Sequence, residues 1–530
     1  MRRKHDLVLY LLLSLVILLV VFVRLRLLNV PLERDEGEYA YAGQLMLKGI
    51  PPYAGVYNMK FPGTYTLYFL IELLFGQTVT GIHLGALFSN LLSILFVFLI
   101  GKKLMSLHAG IVSAISFAIL SLSTSFQGLD ANAESFVLLF SLPGILILIY
   151  AIEKNRPLYF FLSGTFLGLS VLMKQHGIFF LVFGGVLIIY HYAIAEKGRL
   201  SSTFFPLLQL CSGALFTFLL SLGFLAQAGV LQNFWLLAFQ YAKEYISQRS
   251  INEAIQNFPF RNIFMASPML WSLGLLGVVN SLFKKGNGFN SFFLLNFGFF
   301  SFLTVCPGFY FRPHYFILLL PAVSLLIANA IHPFSSLSNT GLTSYRRIIL
   351  LLIVAPILFF IISNRSYLFI QTPKEASKQL YPKESFCELL EISSYLKKNT
   401  LPSDKIGVLG SEPEIFFYTQ RESASGFIYC YPLLEDQKFR KQMETKYIAE
   451  VERASPKYFL VVNVNQNWSI SEVHGERISD WYPEFLRNNY NLAAMVCFPG
   501  NSSPVYIWNN PPEFPNDSLI DRIEVYRRNQ

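Results

Sequence analysis

Residues 34–38 read Arg-Asp-Glu-Gly-Glu and follow directly on an apolar run from Leu7 to Leu28. An ionised carboxylate beside hydrocarbon is costly to desolvate, so acids at a membrane rim persist where they have a partner or a task. Further ionisable residues recur at the ends of later apolar runs: Lys60, then Asp130 and Glu134, Lys174 and His176, Arg312 and His314. Taken singly, each reads most simply as a solvated helix end. Their recurrence at one set of ends implies a shared polar site. Carboxylates mixed with cations suit a reaction that takes a proton from one reactant and stabilises an anion leaving another. Glycosyl transfer from a lipid phosphate has those needs.

The elements that position these residues follow from composition. The chain of 530 residues is 53% hydrophobic and only 14% charged, too apolar for an ordinary soluble enzyme. Its net charge of +9 comes from short basic clusters between apolar runs, the pattern of cytoplasmic loops rather than of a nucleic-acid surface. The run from Leu7 exceeds a signal-peptide core and lacks a small-residue cleavage site, so it reads as a retained membrane helix. Ten further spans are predicted at 80–101, 107–124, 134–152, 158–173, 177–194, 204–226, 266–283, 289–306, 313–331 and 346–363, about eleven in all. With the N-terminus inside, the basic clusters at 102–103, 153–156, 196–199, 284–285 and 346–347 all become cytoplasmic, and the chemistry-bearing residues share the outer face. Arg24 and Arg26 sit against that rule and are expected to snorkel or to face anionic lipid.

Two regions lie outside the spans. The first external loop, residues 29–79, contains an amphipathic segment from Glu36 to Leu47 and an apolar one from Tyr65 to Phe75, both expected to lie at the interface. Tyr39, Tyr41, Tyr53, Tyr57, Tyr65 and Tyr68 suit headgroup depth, with Tyr39 and Tyr57 also expected to line the site. A second external loop, Gln227 to Asn262, is placed to cover the same face. From residue 364 the composition turns soluble. Strands are predicted at Lys405–Leu409, Tyr458–Asn463, Ala493–Phe498 and Val505–Trp508, a helix at Glu384–Lys397, and a helix N-cap at Ser411. The division expected is a membrane domain over 1–363 and an extracytoplasmic α/β domain over 364–530. Among Cys387, Cys430 and Cys497 one disulfide has room to form, of unreadable connectivity.

The run from Arg34 to Ala40, followed by Gly49, Pro52-Tyr53 and Lys60-Phe61-Pro62-Gly63, resembles the first-loop signature of the GT-C glycosyltransferases, with the aminoarabinose lipid A transferases and bacterial protein O-mannosyltransferase-like enzymes as near kin. The resemblance extends to Asn132-Ala133-Glu134, Met173 to Gly177, Arg312-Pro313-His314-Tyr315 and Gly410 to Arg421. It implies a polytopic α-helical membrane protein with a C-terminal soluble domain. It also implies a polyprenyl-phosphate-linked sugar donor, a lipid, glycan or protein acceptor, and inverting transfer without metal or other cofactor, in a bacterial inner membrane. By the same resemblance Asp35 is the base and Glu36 positions it or the acceptor. Lys60 contacts the donor phosphate, although the motif reads Lys-Phe-Pro where Lys-Pro-Pro is usual. Glu134 takes the second acidic position with Asp130 as rival, and Arg312 and His314 serve the phosphate. Lys174, His176 and Tyr315 complete the expected lining.

A transporter or flippase for a lipid-linked glycan is the main alternative. Such proteins carry broken helices and charges at mid-membrane and show repeated halves. Here the charges crowd the span ends and no repeat is visible. A noncatalytic scaffold would explain the tail but not the acidic cluster with Lys60.

Overall fold

Eleven apolar helical units account for the membrane part of the computed structural model, which describes residues 2–196, 199–283, 288–337, 343–464, 477–499, 503–509, 511 and 521–529. Among these residues six helices are long and apolar enough to cross a membrane: Leu7–Arg26, Val79–Leu104, Ala133–Lys154, Gln175–Ala195, Leu200–Gln227 and Pro313–His332. A seventh unit joins Ile251–Met265 to Pro268–Phe283 through a 108° bend, and four shorter apolar helices stand at Leu107–Leu120, Pro157–Met173, Gly288–Leu303 and Leu350–Ser363. The chain is an integral membrane protein. Lys197, Lys284 and Lys285, assigned to inner loops, lie outside the described residues. Lys103 and Glu153 form a 2.5 Å ion pair, so two of the basic loops meet at one end of the bundle.

Helix α1 (Arg2–Arg26) leads into α2 (Arg34–Leu47) and α3 (Pro62–Phe75), followed by α4 (Val79–Leu104), α5 (Leu107–Leu120), α6 (Ala133–Lys154) and α7 (Pro157–Met173). Arg24 and Arg26 neither snorkel nor face lipid. The Arg24 guanidinium is buried and donates to the Gly128 and Leu129 carbonyls, while Arg26 donates to the carbonyls of Tyr367, Leu368 and Gln371. Backbone carbonyls that no helix uses outcompete lipid for these donors. Nor does α2 present an amphipathic face to lipid: Glu36 through Leu45 are buried within the protein. The tyrosines are likewise not headgroup anchors, because Tyr39, Tyr41, Tyr53, Tyr65 and Tyr68 are all buried. Their hydroxyls find partners inside the protein, as at Tyr65 to Glu38 and Tyr68 to the Ala131 carbonyl.

The C-terminal region builds one six-stranded sheet in the order β2-β1-β3-β6-β4-β5. Its strands are β1 (Lys405–Leu409), β2 (Glu422–Ser423), β3 (Tyr458–Asn463), β4 (Tyr490–Phe498), β5 (Val505–Trp508) and β6 (Asp521–Arg528). The first three pair in parallel and β6, β4 and β5 run antiparallel. The expected N-cap at Ser411 is not made. The helix Glu414–Thr419 starts one turn later behind Pro413, the Ser411 N–H is taken by the Glu412 carboxylate, and the Ser411 hydroxyl accepts from Cys430 N. Cys387, Cys430 and Cys497 are free thiols.

This region sits directly on α2. A Cβ at Gly37 would fall 2.6 Å from the Cβ of Glu414, so only glycine permits the contact. Tyr41 accepts from Ser423 N, Tyr418 from Leu32 N, and Tyr57 N donates to the Gly426 carbonyl at 2.7 Å.

Candidate active site

Helix α2 begins at the acidic cluster because Glu33 caps it: the Glu33 carboxylate accepts from Glu36 N, and the Glu36 carboxylate accepts in return from Glu33 N. This reciprocal box satisfies two helix-end donors and fixes the first turn. Asp35 therefore projects from a rigid element into a cavity of about 410 Å³, whose walls include Glu33, Arg34, Lys60, Lys174, His314 and Arg312. The second motif is fixed in the same way by close packing. A Cβ at Gly63 would fall 2.5 Å from the Leu172 carbonyl, and Thr64 donates to Met173 O at 2.6 Å. The start of α3 is thus pinned to the end of α7, which brings Lys60 and Lys174 to one cavity.

Lys60 Nζ lies 3.0 Å from Asp35 Oδ2, and both side chains keep some solvent access, 15% and 24%. The ammonium also donates to Tyr39 at 3.0 Å. Burial pushes the Asp35 carboxyl up, but the Lys60, His314 and Lys174 charges outweigh it and hold Asp35 well below the usual range. Burial works against the Lys60 charge, and Asp35 and Glu38 reverse that, so the ammonium is held well above its ordinary range. A second ion pair joins Lys174 to Glu134, with side chains only 8% and 1% exposed. Glu134 also stands 4.0 Å from His314 Nε2, and Lys174 lies 4.1 Å from the centre of the Tyr315 ring. His176 packs edge-on against the same ring.

Arg312 is exposed on the cavity wall. Unlike Lys60 and Lys174, it has no carboxylate within ion-pair distance among the described residues. It follows a turn in which Gly308, Phe309 and Phe311 all have positive φ, at 69°, 55° and 46°. Non-glycine residues rarely hold that conformation, and it concentrates where strain positions a functional group.

Five residues expected at the site do not line the cavity: Glu134 stands behind Lys174, and the other four lie elsewhere. Asp130 is behind the wall, accepting from Tyr381, whose ring reaches the cavity. Glu36 is turned inward, accepting from Ala131 N at 2.6 Å and standing 3.2 Å from His83 Nε2. Its geometry positions the first turn of α2 rather than a ligand. Tyr57 points into the C-terminal domain and donates to Glu450 at 3.0 Å. Tyr39 reaches the cavity only through Lys60.

Other contributors were not anticipated. Glu38 accepts from Tyr65 at 2.5 Å and from Asn58 at 2.8 Å, and burial, opposed by Lys60 and aided by Asp35, lifts it to about 7. Arg34 donates to Ser411 O and pairs with Glu384 at 2.9 Å. Tyr381, Glu384, Ser411, Tyr429 and Tyr431 bring the C-terminal domain into the wall, and the second external loop adds Ala242, Tyr245 and Ile246. Of these, Arg34 and Glu38 belong to the acidic run, Ser411 to the tail segment and the last group to a loop of mixed aromatic and charged composition that the sequence marked, whereas Tyr381, Glu384, Tyr429 and Tyr431 had no signal there.

This combination of an apolar helical bundle, a buried first loop carrying an acid, and a small α/β domain closing the site is the GT-C fold. A profile of the family described as dolichyl-phosphate-mannose-protein mannosyltransferase matches residues 62–222, beginning just after Lys60. Among solved structures, apo ArnT from Cupriavidus metallidurans superposes with a TM-score of 0.59 at 13% identity over 98% of this chain and 97% of its own. The same protein bound to undecaprenyl phosphate gives 0.55 at 13% identity, over 88% and 99%. The oligosaccharyltransferase AglB from Archaeoglobus fulgidus, in complex with an inhibitory peptide and a dolichol-phosphate, gives 0.56 at 12% identity, over 98% of this chain and 76% of that one. No curated protein matches by sequence.

Proposed function

We propose that the protein is a membrane glycosyltransferase. It moves a sugar from a polyprenyl monophosphate to a lipid, glycan or protein acceptor, with inversion, on the extracytoplasmic face of a bacterial inner membrane. The observation that carries this reading is the accessible Asp35–Lys60 pair in a cavity that also presents Arg312, which has no carboxylate partner among the described residues. The structural relatives solved with dolichol-phosphate and undecaprenyl phosphate support the donor class. Residues 1–363 form the membrane domain in this reading and 364–530 the extracytoplasmic one.

In the reaction the acceptor oxygen bonds to the anomeric carbon while the bond to the phosphate oxygen breaks and its electrons leave with the polyprenyl phosphate. Arg312 and Lys60 hold the growing phosphate charge as fixed cations, an effective means of stabilising it, and His314 stands beside them as a hydrogen-bond donor. Asp35 orients the acceptor hydroxyl and takes its proton. Its low basicity beside Lys60 suits a transition state with oxocarbenium character, in which the acceptor oxygen becomes strongly acidic only as the new bond forms. Glu134 keeps Lys174 charged beneath the phosphate.

The test is mass spectrometry of envelope lipids, glycans and glycoproteins from cells carrying the native protein or Asp35→Asn at matched expression. Loss of one defined sugar mass in the variant is expected. Accumulation of the lipid-linked sugar on the inner leaflet would replace the transferase by a flippase, and unchanged products with that lipid still reaching the outer leaflet would replace it by a scaffold.

A further inference from the structure

Asp35 has two oxygens in two different settings. Oδ2 faces Lys60 at 3.0 Å, and Oδ1 faces the hydroxyl of Tyr429 at 3.3 Å. The same hydroxyl stands 3.1 Å from the backbone carbonyl of Arg34. A phenol carries one proton, so it donates fully to one of these acceptors at a time. Both distances exceed the usual 2.7–2.8 Å of an O–H···O bond, as expected for a proton shared among several acceptors, the Glu38 carboxylate being a third. Tyr429 is otherwise well anchored: Cys430 N donates to Ser411 Oγ at 3.2 Å, and the Tyr429 and Tyr431 rings lie 5.1 Å apart.

A carboxylate that acts as a base changes what it needs from its neighbours. Ionised, it only accepts hydrogen bonds; protonated, it must also donate one. Lys60 has no acceptor and serves only the ionised form. We propose that Tyr429 is a positioning residue contributed by the C-terminal domain, donating to the Asp35 carboxylate before transfer and accepting from the Asp35 acid after it. This rests on the reading of Asp35 as the base. The proton of the acceptor hydroxyl passes to Oδ1, and the Tyr429 hydroxyl turns about its C–O bond to donate to the Arg34 carbonyl. Its lone pair is then free to accept the new Asp35 proton. Tyr429 keeps its own proton throughout, in keeping with the burial and the nearby Glu38 and Asp35 charges that oppose its ionisation. The C-terminal domain thereby completes the site rather than merely covering it.

The experiment uses the full-length protein in membrane vesicles, with polyprenyl-phosphate sugars extracted from the producing cells as donor, titrated by dilution, and product read by mass. Tyr429→Phe removes only the hydroxyl. Tyr447→Phe makes the same deletion in the same domain away from the cavity, where the hydroxyl donates to Val408 O. The maximal rate of Tyr429→Phe is expected to fall about 10- to 100-fold, the value of one hydrogen bond to a charged group. Donor half-saturation should stay within about twofold, and Tyr447→Phe should keep its rate. Tyr429→Phe at the native rate, a loss confined to half-saturation, or an equal loss in Tyr447→Phe would each overturn the proposal. If Tyr429→Phe fails to accumulate, Tyr429→His retains a donor and an acceptor and should outpace Tyr429→Leu; equal rates would overturn the proposal. Asp35→Asn in the same assay separates the two claims, since a dead Asp35 variant beside a fully active Tyr429→Phe refutes only the role of Tyr429.

Discussion

The pairs Asp35–Lys60 and Glu134–Lys174 are the same chemistry in two settings. Each joins a carboxylate in the first turn of a helix to a lysine next to another helix terminus, and each has its lysine in the wall of the same cavity. The difference is access. Asp35 and Lys60 retain partial exposure, whereas Glu134 is sealed beneath Lys174. An exposed pair can exchange partners with a substrate, while a buried pair holds its charges in place and is disrupted only at high cost. On the proposed function, chemistry falls to the first pair and support of the cavity floor to the second.

The largest effect separating the pairs is on turnover. Asp35→Asn should lower transfer about 10²–10⁴-fold, the range for loss of a general base, with thermal stability close to native. Transfer rate and melting temperature measured together check this. Next, Glu134→Gln should act on the fold, because it leaves Lys174 buried without its counter-charge, at a cost of about 3–5 kcal/mol. A marked loss of melting temperature is expected. A stable but inactive Glu134→Gln would erase the distinction between the pairs. Third, Lys60→Ala should raise donor half-saturation about 10- to 100-fold by removing one charged contact and leave acceptor half-saturation nearly unchanged. Equal changes in both would remove Lys60 from the phosphate.

The smallest effect concerns pH. Burial, opposed by Lys60 and reinforced by Asp35, lifts Glu38 from an ordinary 4.5 to about 7, and burial with the Glu36 charge lifts Asp130 from 3.8 to about 8. Between those values the unfolded chain has released protons that the fold retains, so unfolding becomes easier as pH rises. These two groups should therefore make stability in detergent fall between about pH 4 and pH 8. Asp130→Asn should flatten part of that fall in a melting series. Asp35 acts in the opposite direction and only in acid: its depressed carboxyl stabilises the fold above its ordinary 3.8 and loses that contribution below.

Much of this was legible in the sequence because its signals are local. Apolar runs fall on helices, and the strands at 405–409, 458–463 and 505–508 sit where alternation and turns predict them. Lys60 and Asp35 announce themselves by lying next to apolar runs. Strand β6, Asp-Arg-Ile-Glu-Val-Tyr-Arg-Arg, was missed because only Ile523 and Val525 on its inner face are strongly apolar and charges fill the positions around them. The buried tyrosines were misread because an amphipathic ring suits a headgroup and a polar core equally. Tyr429 and Glu384 touch residues nearly four hundred and exactly 350 positions away in sequence, and no local pattern reports such contacts. Glycines 37 and 63 carried a usable signal: each lies within a motif, and each marks a close approach that builds the cavity.

The central claim is tested most directly by a single-turnover measurement on purified native protein and Asp35→Asn in liposomes, loaded with extracted polyprenyl-phosphate sugar before acceptor is added. The account predicts that both hold the donor, and that only the native protein converts it to glycosylated acceptor and free polyprenyl phosphate. Conversion by Asp35→Asn at the native rate would contradict it.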